Sequence, residues 1–322
     1  KGRGNSTWKG AKRPYQIKLD KKTAIAQLTR YYKGKAFLPK AFKSQNHIAE
    51  IQGVYVPFWL YDAKADARGR YEGQNSESHR EGDYMVTTTQ HYDVRREGSA
   101  DFAKVPVDGS SKMPNTHMDA IEPFDYGDLK PFSTAYLPGY LADRYDEDAD
   151  ACAERAYRRM YNSTADALHA TTGGYSEIHP ISENINVDMT HAHYALLPVW
   201  MLHTRWKEKD FLFAMNGQTG RLVGELPCSK PKLAIASVLF FVIGFILSQI
   251  LFMGEYAFDP DYLTFDIEGI LINIIAPLII VIIGDVLLVG QLKTANEAAH
   301  ADEYCGELDL TEKHDTFSHT ET

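Results

Sequence analysis

Two uninterrupted apolar runs, residues 233–253 and 270–292, divide this chain, with a short acidic loop between them. The first carries no charge over about 20 residues, enough at ~1.5 Å rise per residue to cross a hydrocarbon core. The second is as long and holds one carboxylate, Asp285. A helix in a soluble core is seldom apolar on every side for this length, so the pattern predicts a transmembrane hairpin over 229–292. Lys230 and Lys232 precede the first run and Lys293 follows the second. The loop offers Glu255, Asp259, Asp261, Asp266 and Glu268 with no Lys or Arg. Positive flanks stay cytoplasmic, so the expectation is a multi-pass protein of the cell membrane with both termini inside.

Elsewhere the periodicity is shorter. Asp20 caps a predicted helix over 21–32, with Ile25, Leu28 and Tyr32 on one face and Lys33-Gly34 closing it. A short helix is expected over 44–51. Residues 54–65 (VYVPFWLYDAKA) read as a strand, Pro57 suggesting an edge or a bulge, and 84–95 as a second strand. The polar cluster at 73–78 is the turn expected between them. Residues 99–143 show little periodicity, and 111–143 reads as an ordered connector. The longest soluble helix is expected over 146–171, with Ala149, Cys152, Ala156, Met160 and Leu168 at helical spacing before Gly173-Gly174. Strands over 194–207 and 211–215, a turn at 216–220 and a return strand over 221–226 follow. The acidic, polar tail over 293–322 is expected to be mobile and cytosolic.

A repeat lies in this pattern. Tyr55-Val-Pro-Phe-Trp-Leu60 and Leu196-Leu-Pro-Val-Trp-Met201 share the frame apolar-x-Pro-x-Trp-apolar, and the prolines stand 141 residues apart. Each frame follows an acid-capped helix, at Asp20 and at Asp146. The reading is an α+β chain of two related helix-on-antiparallel-sheet units, 14–110 and 144–228, followed by the hairpin. Trp59 and Trp200 are expected in the core.

Charge adds an arm. The net charge is −9, yet residues 1–43 hold thirteen Lys or Arg against one acid, Asp20. Residues 1–13 read as a basic polar linker. Lys9, Lys12, Arg13, Lys18, Lys21 and Lys22 are the candidates for touching anionic lipid or another polyanion, nucleic acid being the less favoured partner; the plain alternative is a solvated arm. Three cysteines (Cys152, Cys228, Cys305) form no Cys-x-x-Cys, which suits a reducing compartment and argues against a zinc site built from this chain alone.

Several long phrases carry a family resemblance: Leu38-Pro-Lys-Ala-Phe42, Gly53-Val-Tyr-Val-Pro-Phe-Trp-Leu60, Val105-Pro-Val-Asp-Gly-Ser-Ser-Lys-Met113, Tyr136-Leu-Pro-Gly-Tyr-Leu-Ala-Asp143 and Phe213-Ala-Met-Asn-Gly-Gln-Thr-Gly220. From about residue 15 to the first apolar run the chain resembles the bacterial membrane-anchored TFIIB-type zinc ribbon-containing proteins. That resemblance implies a membrane adaptor linked to membrane-stress modules, with phage-shock-type or flotillin-type proteins as partners and no established catalytic residues. The family's zinc ribbon, with its paired Cys-x-x-Cys, is absent from this sequence, which begins at Lys1. Zinc is expected only if such a ribbon lies upstream, and otherwise no cofactor.

The candidate chemistry is sparse. His191-Ala-His193 places two imidazoles on one face of a strand, with His203 or Asp188 as a third ligand; ordinary surface histidines are the plainer reading. Asp108-Gly-Ser-Ser-Lys112 offers backbone donors to a phosphate or is a structural turn. No pattern of a hydrolase, metalloprotease or nucleotide-binding loop occurs, and no catalytic residue is assigned. An ionisable group inside a membrane helix faces a partner or snorkels to the headgroups. Asp285 and Ser237 fall at similar depth near the inner end, Gln249 and Asn273 near the outer end. These polar residues are expected to face each other or a neighbouring subunit, with Gly244 and Ser248 allowing close approach and Pro277 kinking the second span. The function expected is a non-enzymatic membrane-tethered scaffold or adaptor for a protein partner or a homo-oligomer. A channel or transporter subunit using Asp285 and a metal-dependent enzyme using the histidine face are the rivals.

Overall fold

A computed structural model describes residues 13–14, 17–45, 48–127, 139–256, 274–290, 292 and 295–322. The fold is α+β, built on one large sheet. Three long strands make its body: β2 (Gln52–Glu81), β3 (Tyr84–Asp108) and β5 (Glu177–Trp206). With β6 (Lys209–Asn216), β7 (Leu222–Gly224) and β8 (Asp309–Glu321) they give the antiparallel order β7-β6-β5-β2-β3-β8. Two short parallel pieces complete it, β1 (Arg13–Pro14) beside β5 and β4 (Leu141–Ala142) beside β2. One sheet face carries α1 (Lys21–Tyr31), α2 (Lys40–Gln45) and α4 (Ala149–Ala170). The other is covered by α3 (Asn115–Ala120) and the chain after it, where Met118, Ile121 and Phe124 pack on Val56, Phe58 and Leu197.

The strands run much further than the aromatic stretches that announce them. Beyond Tyr61, strand β2 continues as Ala63, Ala65, Ala67 and Tyr71 facing α4, with charged residues alternating outward. The alternation is strict, but Ala and Gly are weak strand formers and hide it. The turn expected at 73–78 is therefore strand, and the chain reverses at Gly82-Asp83, with Gly82 at φ +63°. Gly73 is not a turn residue: a Cβ there would lie 2.7 Å from the Tyr175 ring. The helix expected over 44–51 is α2, four residues earlier, then a 3-10 turn at Ile48–Glu50. Asp148, not Asp146, caps α4, accepting from Ala151 N at 2.9 Å.

The stretch expected as a mobile tail is folded. Leaving residue 292, the chain crosses α4 as a strap over 295–305 and then enters the sheet as β8 on the edge of β3. Its acidity follows from its place, because an exposed edge strand needs charge rather than apolar side chains.

The two Trp frames lie side by side as the middle of the sheet. Val56 pairs with Leu197, the residue 141 positions on. Trp59 Nε1 donates to Glu147 O and Trp200 Nε1 to Leu19 O, each at 3.0 Å, and each acceptor immediately precedes a helix-capping aspartate. Gly109 N donates to Pro57 O at 2.9 Å and Gly217 N to Pro198 O at 2.8 Å. Each proline thus turns its N–H-less side toward the point where the return strand ends, which is why a central strand tolerates it. Ala142 of β4 lies beside Tyr55, and Pro14 of β1 beside Leu196, again 141 apart. The helices divide the sheet along its length: α1 covers β6 and the end of β5, while α4 covers β2, β3 and the earlier part of β5.

Helix α5 (Lys230–Tyr256) and helix α6 (Ala276–Gly290) project from this body between β7 and β8. The part of α5 over Lys230–Ser248 is long and apolar enough to cross a membrane. The α-helical part of the second run is 15 residues, about 22 Å. Residues 257–273 of the expected loop and second span lie outside the described residues. Pro277 is the second residue of α6, next to residues 274–275 in π-helical conformation.

Candidate functional site

The candidate site is the place where the two apolar helices join the folded body. Both helices keep aliphatic side chains outward, among them Ile235, Val238, Leu239, Ile282, Val286 and Leu287. Their polar groups turn inward. Ser237 Oγ donates to Asp285 Oδ2 at 2.7 Å and lies 2.9 Å from Leu233 O. The other carboxylate oxygen of Asp285 is buried and has no hydrogen-bond partner among the described residues. At Gly244 an added Cβ would stand 3.1 Å from Pro277 Cα, and at Gly284 one would stand 2.6 Å from the Phe240 ring. Absent side chains at these two positions let the helices touch. Ser248 is buried and donates to Phe245 O at 2.8 Å, within its own helix rather than across to α6. The side chain of Gln249, and Asn273 altogether, lie outside the described residues.

Below this pair the helices are fastened to the body. Leu226 N donates to Leu292 O at 2.9 Å, so the residues that enter and leave the hairpin bond to each other. Both are buried with Leu38, Phe42, Trp200 and Phe213. Ser229 N donates to Phe37 O at 2.9 Å, and Lys232 Nζ donates to Ala36 O at 2.6 Å. Lys232, a flanking charge on sequence grounds, therefore also anchors α5 to the loop after α1.

The returning strap is held by buried charge. Arg159 makes a two-pronged pair with Glu122, at 3.1 and 2.6 Å, and donates to Pro106 O and to His300 O. Tyr304 OH donates to Glu122 at 3.0 Å, and Ala298 N to Asp119 at 3.1 Å. Ala301 N donates to Ser163 Oγ at 2.7 Å, and Ser163 in turn bonds Asp302. Arg155 bridges Asp108 and Asp119 at 2.8 and 3.2 Å. Burial pushes the Asp108 carboxyl up to about 6 and Glu122 up to about 7, each against the pull of its arginine. Burial also pushes the Cys152 thiol up to about 12, leaving it no nucleophile. This network fastens one chain segment to another; Glu122 and Asp119 are bonded on both oxygens, while Asp108 keeps Oδ2 buried without a hydrogen-bond partner among the described residues.

The other sequence candidates scatter. Lys18 pairs with Asp125 at 2.8 Å, Lys21 and Lys22 are exposed on the first turn of α1, and only the backbone of Arg13 is described. Lys9 and Lys12 lie outside the described residues. His191 and His193 have parallel rings 5.9 Å apart, with His193 Nε2 3.3 Å from Asp62. His203 stands ten residues along the same strand, about 33 Å away at strand rise, and Asp188 joins no metal-ready group with the pair. In the loop at 108–112 the backbone N–H of Gly109 donates to Pro57 O and that of Ser111 to Asp146, while the side chains of Ser110 and Lys112 bond Asp143. Reading by sequence missed Gly284, Phe240, the Leu226–Leu292 joint and the strap. Glycine spacing along the second run was the available signal for Gly284. The strap left none.

A Bacillus subtilis (strain 168) protein is related. It carries the name "Uncharacterized protein YdjG" and is 35% identical over 216 residues, 67% of this chain and 63% of that protein. The chain thus spans less than two thirds of that relative's length. No protein-family model matches the chain, and no solved structure matches it.

Proposed function

We propose that this chain is a membrane-tethered scaffold or adaptor, its folded body held at the cytoplasmic face of the cell membrane by α5 and α6 and presented there to a protein partner. The observation that carries this reading is the outward row of aliphatic side chains on both helices, continuous with a joint buried in the body. Lipid is the environment that such a row fits. The duplicated contacts around Trp59 and Trp200 support a body of two related helix-on-sheet units. The carboxylates Asp119 and Glu122 under the strap are buried and paired with arginine, which favours an adaptor over an enzyme. The resemblance to the zinc ribbon-containing family supports a place in the membrane-stress response, with a phage-shock-type or flotillin-type partner.

Fractionation tests the tether: the protein is expected in the membrane pellet, resistant to carbonate and released by detergent. Recovery in aqueous extract without detergent overturns the reading. Gentle-detergent co-purification with mass spectrometry then tests the adaptor role, the expected result being a stoichiometric membrane partner. A second copy of the hairpin is one such partner, since an ionisable group within an apolar helix commonly marks helix pairing. Asp285→Leu is expected to shift the detergent-solubilised protein to a smaller assembly, and unchanged size sinks that homo-oligomer.

A further inference from the structure

At the end of the sheet far from the hairpin, three metal-ligating side chains converge from two strands. His91 lies on β3, and His319 and Glu321 lie on β8; in the sheet register His91 stands opposite His319. His319 and Glu321 are alternate residues of a strand and share a face. One ligand atom from each of the three lies within 4.8 Å of the others. His319 Nε2 is 3.5 Å from Glu321 Oε1, and His91 Nε2 is 3.9 Å from Glu321 Oε2. Ligands bound tetrahedrally at 2.0–2.2 Å stand about 3.3 Å apart, so the spread is close to that of a formed site.

The decisive group is His91. It is 8% exposed, its Nδ1 lies 2.7 Å from Glu72 Oε1, and its Nε2 is buried without a hydrogen-bond partner among the described residues. A carboxylate on Nδ1 places the proton there and leaves Nε2 as a bare lone pair. Such an arrangement, carboxylate to histidine to ion, is how metal-bound imidazoles are held in orientation. A buried nitrogen aimed at a carboxylate and a second imidazole has no other occupant in view, and leaving it unsatisfied costs stability.

We propose that His91, His319 and Glu321 bind a divalent transition ion of the zinc type, oriented by Glu72, with a fourth position open to water. Two imidazoles and one carboxylate suit zinc over magnesium or calcium, which take oxygen ligands. The two rings are stacked at 4.3 Å, so the exposed His319 turns outward as the ion enters, while the buried His91 stays. The ion would clasp β8 to β3 near the open end of the ribbon.

The test uses the full chain in detergent, stripped of metal and titrated with zinc chloride alone against a chromophoric chelator. One equivalent is expected to bind. His91→Ala and His319→Ala are each expected to weaken binding at least about 100-fold, and Glu72→Gln about 10–100-fold. A His191→Ala/His193→Ala double variant is expected to bind as the parent does. Because removing the buried His91 also disturbs packing, the exposed His319→Ala carries the result, checked by zinc-dependent protection of β8 amides from hydrogen exchange. Absence of stoichiometric binding by the parent overturns the site, as does binding that survives His319→Ala or is lost with His191 and His193.

Discussion

Trp59 and Trp200 do the same job in two places. Each buries its ring and gives its single N–H to the carbonyl before a helix cap. Replacing either with Phe keeps most of the packing and leaves that carbonyl without its partner. Trp59→Phe and Trp200→Phe are each expected to lower unfolding free energy by about 1–3 kcal/mol, with similar costs at the two sites in urea titrations. Asp108 gives the pH response at this scale. Its folded pKa, raised by burial to about 6, exceeds the unfolded value near 3.8, so its favourable contribution is complete below about pH 4 and is lost as pH rises through 6. The loss approaches about 3 kcal/mol. Asp315, held low by its bond from Arg96, acts in the opposite sense: its contribution is present above about pH 4 and disappears in stronger acid. Melting curves at pH 4, 5 and 6 should therefore show a falling component in the parent that is smaller in Asp108→Asn, the remainder coming from Glu122, which burial raises in the same way. The capping role of Asp20 was readable beforehand because one acid precedes one helix. In Asp146-Glu-Asp-Ala-Asp150 four acids compete, and the choice of Asp148 depends on Ser111 claiming Asp146.

Helices and strands differ in how openly they declare themselves. The apolar runs, the Asp20-capped helix and the two Trp strands stand out because packing demands large apolar residues there. Strand β8 does not, because its side chains face water on an edge and only its backbone is paired. One buried side chain that holds it is Arg96, 2% exposed, which binds Asp315 and also donates to Thr171 O at the end of α4. Asp315→Ala strands that guanidinium, and faster amide exchange across β8 is the expected result, with β2 and β5 unchanged. Between α5 and α6, Gly284→Leu forces atoms into the Phe240 ring, whereas Gly290→Leu enters open space. The first is expected to cost about 1–3 kcal/mol in detergent unfolding and the second little. Equal effects of the two would mean the helices are not in contact there.

At the scale of the molecule, the sequence pattern conveyed an α+β body, but not the single sheet that joins its two Trp frames or the return of the chain. Local patterns report which face of a segment is buried, not which partner buries it. The joining is visible only once Val56 is seen paired with Leu197. The return of the chain is similarly remote, since the strap meets α4 more than 130 residues away in sequence. Its consequence is mechanical. A domain trailing from one membrane span can swivel on its linker, whereas this one is gripped at both feet of the hairpin, by the Leu226–Leu292 bond and by the strap. If the two helices are tilted or splayed, as a bilayer would do on the proposed reading, the motion reaches the body through the described contacts at both feet. Deformation has to travel into the joint beside Trp200 and, through residues 295–305, into the charge network on α4.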